Sequence, residues 1–186
     1  MLLLGNDVYG KTLGVIGFGR IGQAVARRAL GFKMKVIYHD EFAVPEATRR
    51  KLRARSVPLE TLLQEADFVS MHVPLTETTR HLIGMKQLEM MKPTAYLVNT
   101  SRGPVINETD LVGALKKKII AGAGLDVYER EPSLTPGLKK LPNVILLPHI
   151  GSASVETRTK MALMAAQNII NALSGKRPPN LLNTVK

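Results

Sequence analysis

A chain of 186 residues with 45% hydrophobic and 22% charged residues has the composition of a folded protein and is long enough to bury a substantial core. Cysteine is absent, which excludes disulfides, cysteine metal sites and thiol nucleophiles and is compatible with a cytosolic protein, while the apolar runs are too short for a membrane span and residues 1–4 too few for a signal peptide. The net charge of +11 is scattered along the chain with only 4% aromatics and no tryptophan, so it reads as a solvated basic surface and not as a nucleic-acid platform.

In chain order, the first strand is the apolar run 13–16, which enters Gly17-x-Gly19-x-x-Gly22. A helical pattern follows at Ile21, Ala24, Val25, Arg28 and Ala29. The second strand, 36–38, ends at Asp40, close to the spacing of about 20 residues that sets a carboxylate beside a nucleotide ribose. Each part has a physical job. Gly17 allows the tight strand-to-helix turn, Gly19 lets a pyrophosphate approach bare backbone, and Gly22 lets the helix pack close to the strand. The helix N-terminus offers unpaired N–H groups and partial positive charge to phosphates. Alone the glycine motif is weak; between strand and helix, with an acid beyond, it predicts dinucleotide binding. Asp40 and Glu41 repel a 2′-phosphate, so NAD is expected over NADP. Arg49 or Arg50 can reach that site only if their polar segment folds over it.

Residues 46–55 read as a short, very polar helix or loop, 57–59 as a brief edge strand and 61–66 as a helical turn. A strand over 68–73 ends at Pro74. A helix over 86–91 is broken by Pro93 before the strand 95–99. Asn107 is the expected N-cap of a helix over 108–117, with Asp110 three residues on. Strands over 121–126 and 144–147 follow. The last helix, 154–173, carries an apolar stripe at Ala162, Ala165, Ala166, Ile169, Ile170 and Leu173 and stops at Gly175. About seven strands alternating with helices predict a single α/β domain, a Rossmann-type doubly wound parallel sheet covered on both faces. Its expected parts are a lead-in over 1–10, a dinucleotide-binding domain over 11–175 and a tail over 176–186.

In an open α/β sheet, ligands bind beyond the carboxyl ends of the strands. Strand 95–99 runs into Thr100, Ser101 and Arg102; strand 121–126 ends in Asp126 with Glu131 beyond; strand 144–147 runs into His149 and Gly151. Arg102 can hold a carboxylate bidentately and polarise an adjacent carbonyl. His149 can give or take a proton near neutral pH, and a neighbouring Glu131 favours its charged form. Singly these are ordinary residues. Together, at consecutive strand ends beside a nucleotide site, they predict an active site, and no metal is expected in it.

The stretches GKTLGVIGFGRIGQ, HVPLT, NTSRGPVIN, AGAGLDVYEREP and LPHIGSAS occur in that order. They resemble the coenzyme domain of the D-isomer-specific 2-hydroxyacid dehydrogenases, most nearly its glyoxylate/hydroxypyruvate reductases and phosphoglycerate dehydrogenases. The likeness runs from about Gly10 to the C-terminus. It implies an NAD-dependent oxidoreductase passing hydride between the nicotinamide and a small 2-keto or 2-hydroxy acid. Arg102 is implied as the substrate-binding, electrophilic residue, His149 as acid/base, and Glu131 as the partner favouring protonated His149. The related formate dehydrogenases carry glutamine at that last position.

The likeness further implies cofactor contacts from Phe18, Arg20 and Ile21 under the pyrophosphate, and from Val73, Pro74, Thr100, Ser101, Arg102, His149 and Gly151. Asp126 is implied on the nicotinamide carboxamide. A homodimer through the coenzyme domains is implied as well, with Leu181 and Leu182 among the apolar surface to cover. Family members are longer, with a second, substrate-binding domain built mainly upstream of the coenzyme domain. The dinucleotide motif begins here at residue 17, so weak turnover is expected from this chain alone. The superfamily's transcriptional corepressors share the fold and a similar triad, which makes a catalytically silent NAD(H)-sensing or interaction module the alternative reading.

Overall fold

The structure, a computed structural model, describes residues 5–183. Residues 1–4 of the expected lead-in and 184–186 of the expected tail lie outside the described residues. β1 (Thr12–Ile16) leads into α1 (Arg20–Ala29), β2 (Lys35–His39) into α2 (Glu46–Leu52), and β3 (Ala54–Ser56) into α3 (Leu59–Glu65). β4 (Phe68–Met71) precedes α4 (Met85–Met90), and β5 (Tyr96–Asn99) precedes α5 (Glu108–Lys116). β6 (Gly122–Leu125) and β7 (Val144–Leu146) complete the sheet before α6 (Val155–Leu173).

All seven strands are parallel, in the order β3-β2-β1-β4-β5-β6-β7. Strand order reverses between β1 and β4, which opens a crevice at their carboxyl ends. The two faces are filled by alternate side chains of the same strands. Leu13 and Val15 of β1 and Val36 and Tyr38 of β2 enter one core with Phe18, Ala26 and Leu52. Ile16 and Ile37 enter the other, with Leu62, Leu63, Leu97 and Leu111. A period of two with both faces apolar is what a sheet buried between helix layers demands. Asn107 caps α5 as expected, accepting from the Asp110 N–H at 3.1 Å.

The polar segment departs from expectation. α2 stops at Leu52 because Arg53 takes a left-handed conformation, φ 48°, and the chain turns at once into β3. Ala54, Arg55 and Ser56 then pair with Val36, Ile37 and Tyr38. Of Val57, Pro58 and Leu59, expected as the edge strand, only Val57 still touches the ladder, its N–H donating to the Tyr38 carbonyl at 3.0 Å. Pro58 has no N–H to give it, and its fixed φ suits the entry to α3 instead.

The chain forms two compact units, Met1–His149 and Ile150–Lys186. Every strand lies in the first unit, so the division falls inside the 11–175 domain expected from sequence. α6 forms where its periodicity placed it, yet none of its residues is buried. Periodicity specifies a helix and its apolar face, not what covers that face. No helix among the described residues is long and apolar enough to cross a membrane.

Candidate active site

The glycine turn is set by close backbone approach. Gly17 has φ 89°, and a Cβ there would lie 2.7 Å from the His72 carbonyl carbon and 2.8 Å from the Val73 nitrogen. Only glycine satisfies both conditions. A Cβ on Gly22 would fall 2.2 Å from the Gly17 oxygen, so α1 packs directly on the turn. At Gly19, by contrast, a Cβ would meet nothing within 4 Å. Bare backbone is therefore open at the N-terminus of α1, whose first turn holds no acidic residue to oppose an anion. Arg20 and Ile21 are exposed in that first turn. Phe18 is different: its ring is 1% exposed and stacks on Tyr38 with centroids 4.1 Å apart. Its side chain belongs to the core, and only its backbone faces the turn.

Asp40, just beyond β2, accepts hydrogen bonds from the Phe18 N–H and, at 2.8 Å, from the Phe42 N–H. Each oxygen takes one of them, which leaves lone pairs on both for a ribose. Asp40, Glu41, Val73 and Pro74 line a hollow of about 420 Å³ together with Gly17 and Gly19. No arginine lines it; Arg49 and Arg50 line a separate hollow with Arg53 and Arg55. An acidic strand end, open glycine backbone and a helix N-terminus fit a dinucleotide without a 2′-phosphate. His72 lines the same hollow, its Nε2 bonded to the Ser70 hydroxyl at 2.8 Å, and burial pushes its pKa down. Thr79 fixes Pro74 by donating to its carbonyl at 2.6 Å.

The second half of the site sits at the ends of β5, β6 and β7. Asn99, 1% exposed, donates from Nδ2 to the Arg102 carbonyl at 3.0 Å. Its Oδ1 accepts from the Ser101 N–H at 3.0 Å and the Ser101 hydroxyl at 2.9 Å. This knot ties Ser101 inward and leaves Thr100 and Arg102 exposed. Asp126 is buried, and its N–H extends the sheet ladder to the Asn99 carbonyl at 3.0 Å.

Glu131 is held on both carboxylate oxygens. Oε1 accepts from the Tyr128 N–H at 3.0 Å, and Oε2 from His149 Nδ1–H at 3.0 Å. An ionised carboxylate only accepts, so Nδ1 carries the hydrogen and Nε2 is left for a substrate. The hydrogen bond from His149 is the main reason the Glu131 pKa lies below the usual carboxyl range, with the Tyr128 N–H next and the Arg102 charge adding to it. Tyr128 also donates its hydroxyl to the Leu147 carbonyl at 2.7 Å, fastening the loop after β6 to the end of β7. His149 itself has φ 56°, a left-handed conformation that costs a non-glycine residue about 1 kcal/mol.

The structure joins Glu131 and His149 by a hydrogen bond, with the Arg102 charge contributing to the lowered Glu131 pKa. Gly151 lies in the second unit. No cluster of histidine and acidic residues fit to hold a metal occurs among the described residues. Sequence reasoning passed over Asn99, Thr79 and Tyr128. For the first two a signal existed, since Asn and Thr in loops commonly bond nearby backbone; for Tyr128 there was none.

Three kinds of likeness bear on this geometry. The family model described as "D-isomer specific 2-hydroxyacid dehydrogenase, NAD binding domain" matches residues 2–151. The glyoxylate reductases of Thermococcus litoralis and Korarchaeum cryptofilum are 54% and 57% identical over 183 and 185 residues, in each case 98% of this chain and 55% of the relative. The crystal structure of a glyoxylate reductase from Paecilomyes thermophila superimposes with a TM-score of 0.86 at 43% identity, over 94% of this chain and 53% of that one. The chain therefore spans about half the length of the curated relatives it matches.

Proposed function

Because the chain belongs to the D-isomer-specific 2-hydroxyacid dehydrogenase family, as its NAD-binding domain, we propose that it serves an enzyme that passes hydride between NAD(H) and a small 2-keto or 2-hydroxy acid. Glyoxylate and hydroxypyruvate are the proposed keto acids, on the names its relatives carry. The observation that carries the reading is the His149–Glu131 hydrogen bond, with Arg102 near enough to act on the same carboxylate. NAD supplies the hydride chemistry when bound, and the turn over 17–22 with Asp40 would hold it.

The chain's own residues divide the remaining work. Arg102 offers a planar fork for the substrate carboxylate and polarises the keto oxygen. His149 delivers a proton from Nε2 to that oxygen in reduction and takes it back in oxidation. Glu131 fixes the tautomer and orientation of the ring. Because the corepressors share a similar triad, the three residues alone do not choose; the relatives named glyoxylate reductase, 54% and 57% identical, favour the enzyme over a silent NAD(H)-sensing module. The His149 and Glu131 side chains are 53% and 39% exposed, which supports weak turnover by this chain alone, since water-filled sites orient substrates poorly.

A homodimer belongs to the same reading, supported by the exposed apolar side chains of α6 and by Leu181 and Leu182. Light scattering at a monomer mass across micromolar concentrations would refute it. A cytosolic location is the reading the cysteine-free composition supports. The decisive experiment is an NADH fluorescence titration beside a reduction assay with glyoxylate and hydroxypyruvate. Saturable NADH binding with slow, His149-dependent reduction is expected. No NADH binding would sink the proposal, and binding with no reduction at any pH would support a coenzyme domain only.

A further inference from the structure

Glu108 is a buried acid that the proposed chemistry does not use. It is 1% exposed, at the first residue of α5, and forms no ion pair among the described residues. Burying a carboxyl without a cation is costly unless its oxygens are satisfied, and here they are. Oε1 accepts from the Glu129 N–H at 2.7 Å, and Oε2 from the Thr135 hydroxyl at 2.5 Å. The Glu108 N–H in turn donates to Glu129 Oε2 at 3.2 Å. The other oxygen of Glu129 accepts from His81 Nε2 at 2.9 Å.

One carboxyl thus grips the loop after β6 at two places, residues 129 and 135, and Glu131 stands between them. The loop is braced from the Arg102 side as well. A Cβ on Gly103 would fall 1.9 Å from the Tyr128 carbonyl, so the two turns touch backbone to backbone just before Glu131. We propose that Glu108 is a positioning residue for the acid/base pair, setting through Glu129 and Thr135 where the Glu131 carboxylate meets His149. The inference rests on the reading of Glu131 and His149 as that pair.

The groups facing Glu131 are His149 Nδ1, the Tyr128 N–H and the Arg102 charge, and the first two depend on where the loop stands. The Glu131 titration, followed by carboxyl ¹³C NMR and assigned with Glu131→Gln, therefore reads position directly. His149→Ala supplies the ruler: it removes the main stabilising bond and shifts the titration upward. Glu108→Ala is expected to reproduce at least half of that shift. Glu108→Gln should restore it, because its amide oxygen still accepts from the Glu129 N–H and its NH₂ can donate to the Thr135 oxygen.

NADH binding serves as the check on folding, since the glycine turn lies elsewhere. A Glu108→Ala chain that binds NADH normally with the Glu131 titration unmoved overturns the proposal. If that variant does not fold, Thr135→Val removes one grip alone, and it must give a smaller upward shift or the proposal fails. The acid/base reading fails separately: Glu131→Gln and His149→Ala would then leave keto-acid reduction unchanged, whatever Glu108→Ala does to the titration.

Discussion

The two halves of the site are built on different principles. The turn between β1 and α1 is defined by backbone packed on backbone, with Gly17 against His72 and Val73, Gly22 against Gly17, and Phe18 buried beneath on Tyr38. The acid/base half is defined by side-chain hydrogen bonds on an exposed rim, where Asn99 knots the Arg102 turn and His149 leans on Glu131. A packed turn is stable in itself and tolerates almost no change. A hydrogen-bonded rim is precise only while each partner is in place and water is kept out. Cofactor binding and proton transfer should accordingly fail in different ways when each is disturbed.

The comparison is tested hardest at Gly17. Gly17→Ala forces a Cβ into the His72–Val73 backbone at φ 89°, and a destabilisation of roughly 2–4 kcal/mol is expected. NADH affinity should fall more than about 100-fold, a cost near 2.7 kcal/mol. Thermal unfolding and fluorescence titration measure both, and a normal result in each would show that the turn is not defined by packing. On the rim, His149→Ala should lower keto-acid reduction by roughly 100- to 10,000-fold while weakening NADH far less. Arg102→Lys keeps charge but loses the fork, so it should weaken the keto acid more than NADH. Equal losses for both ligands would merge the two halves into one.

Cofactor choice is a smaller effect. Asp40→Ser with Glu41→Arg removes the acids that line the hollow and adds a cation. The ratio of NADPH to NADH affinity should rise about tenfold or more, the equivalent of 1.4 kcal/mol. If the unmodified chain already binds NADPH as tightly as NADH, the role given to Asp40 is wrong. The smallest effects are in pH. Burial lowers the His72 pKa from 6.5, so the unfolded chain takes up that proton first and stability declines as pH falls below 6.5 toward the folded value. The Glu131 pKa is lowered from 4.5, chiefly by His149, so its contribution is present above that value and lost as pH falls through the folded one. Denaturant titrations between pH 8 and pH 3 should show both steps, about where these values place them. His72→Gln should remove the first and Glu131→Gln the second.

The parallel sheet, its strand count and the glycine turn could be read from the sequence, because alternating apolar runs, helical stripes and Gly17, Gly19 and Gly22 are local signals with few other physical meanings. The placing of Arg102, Glu131 and His149 just past strand ends was legible for the same reason: strands of a parallel sheet end on one edge, so residues far apart in sequence arrive side by side. What holds them there was not. Asn99, Tyr128 and Glu108 act through partners 3 to 27 residues away, at distances that depend on how loops from different strands pack. The short strand at 54–56 was missed because Arg53 adopts a left-handed turn that arginine does not advertise. Periodicity also specified α6 without saying that its apolar face would be left exposed in this chain. Sequence determines which elements form and which edge carries the chemistry, since both follow from local periodicity and chain direction. Only the tertiary structure decides which polar groups steady that chemistry, because a hydrogen bond depends on three-dimensional position to a fraction of an ångström.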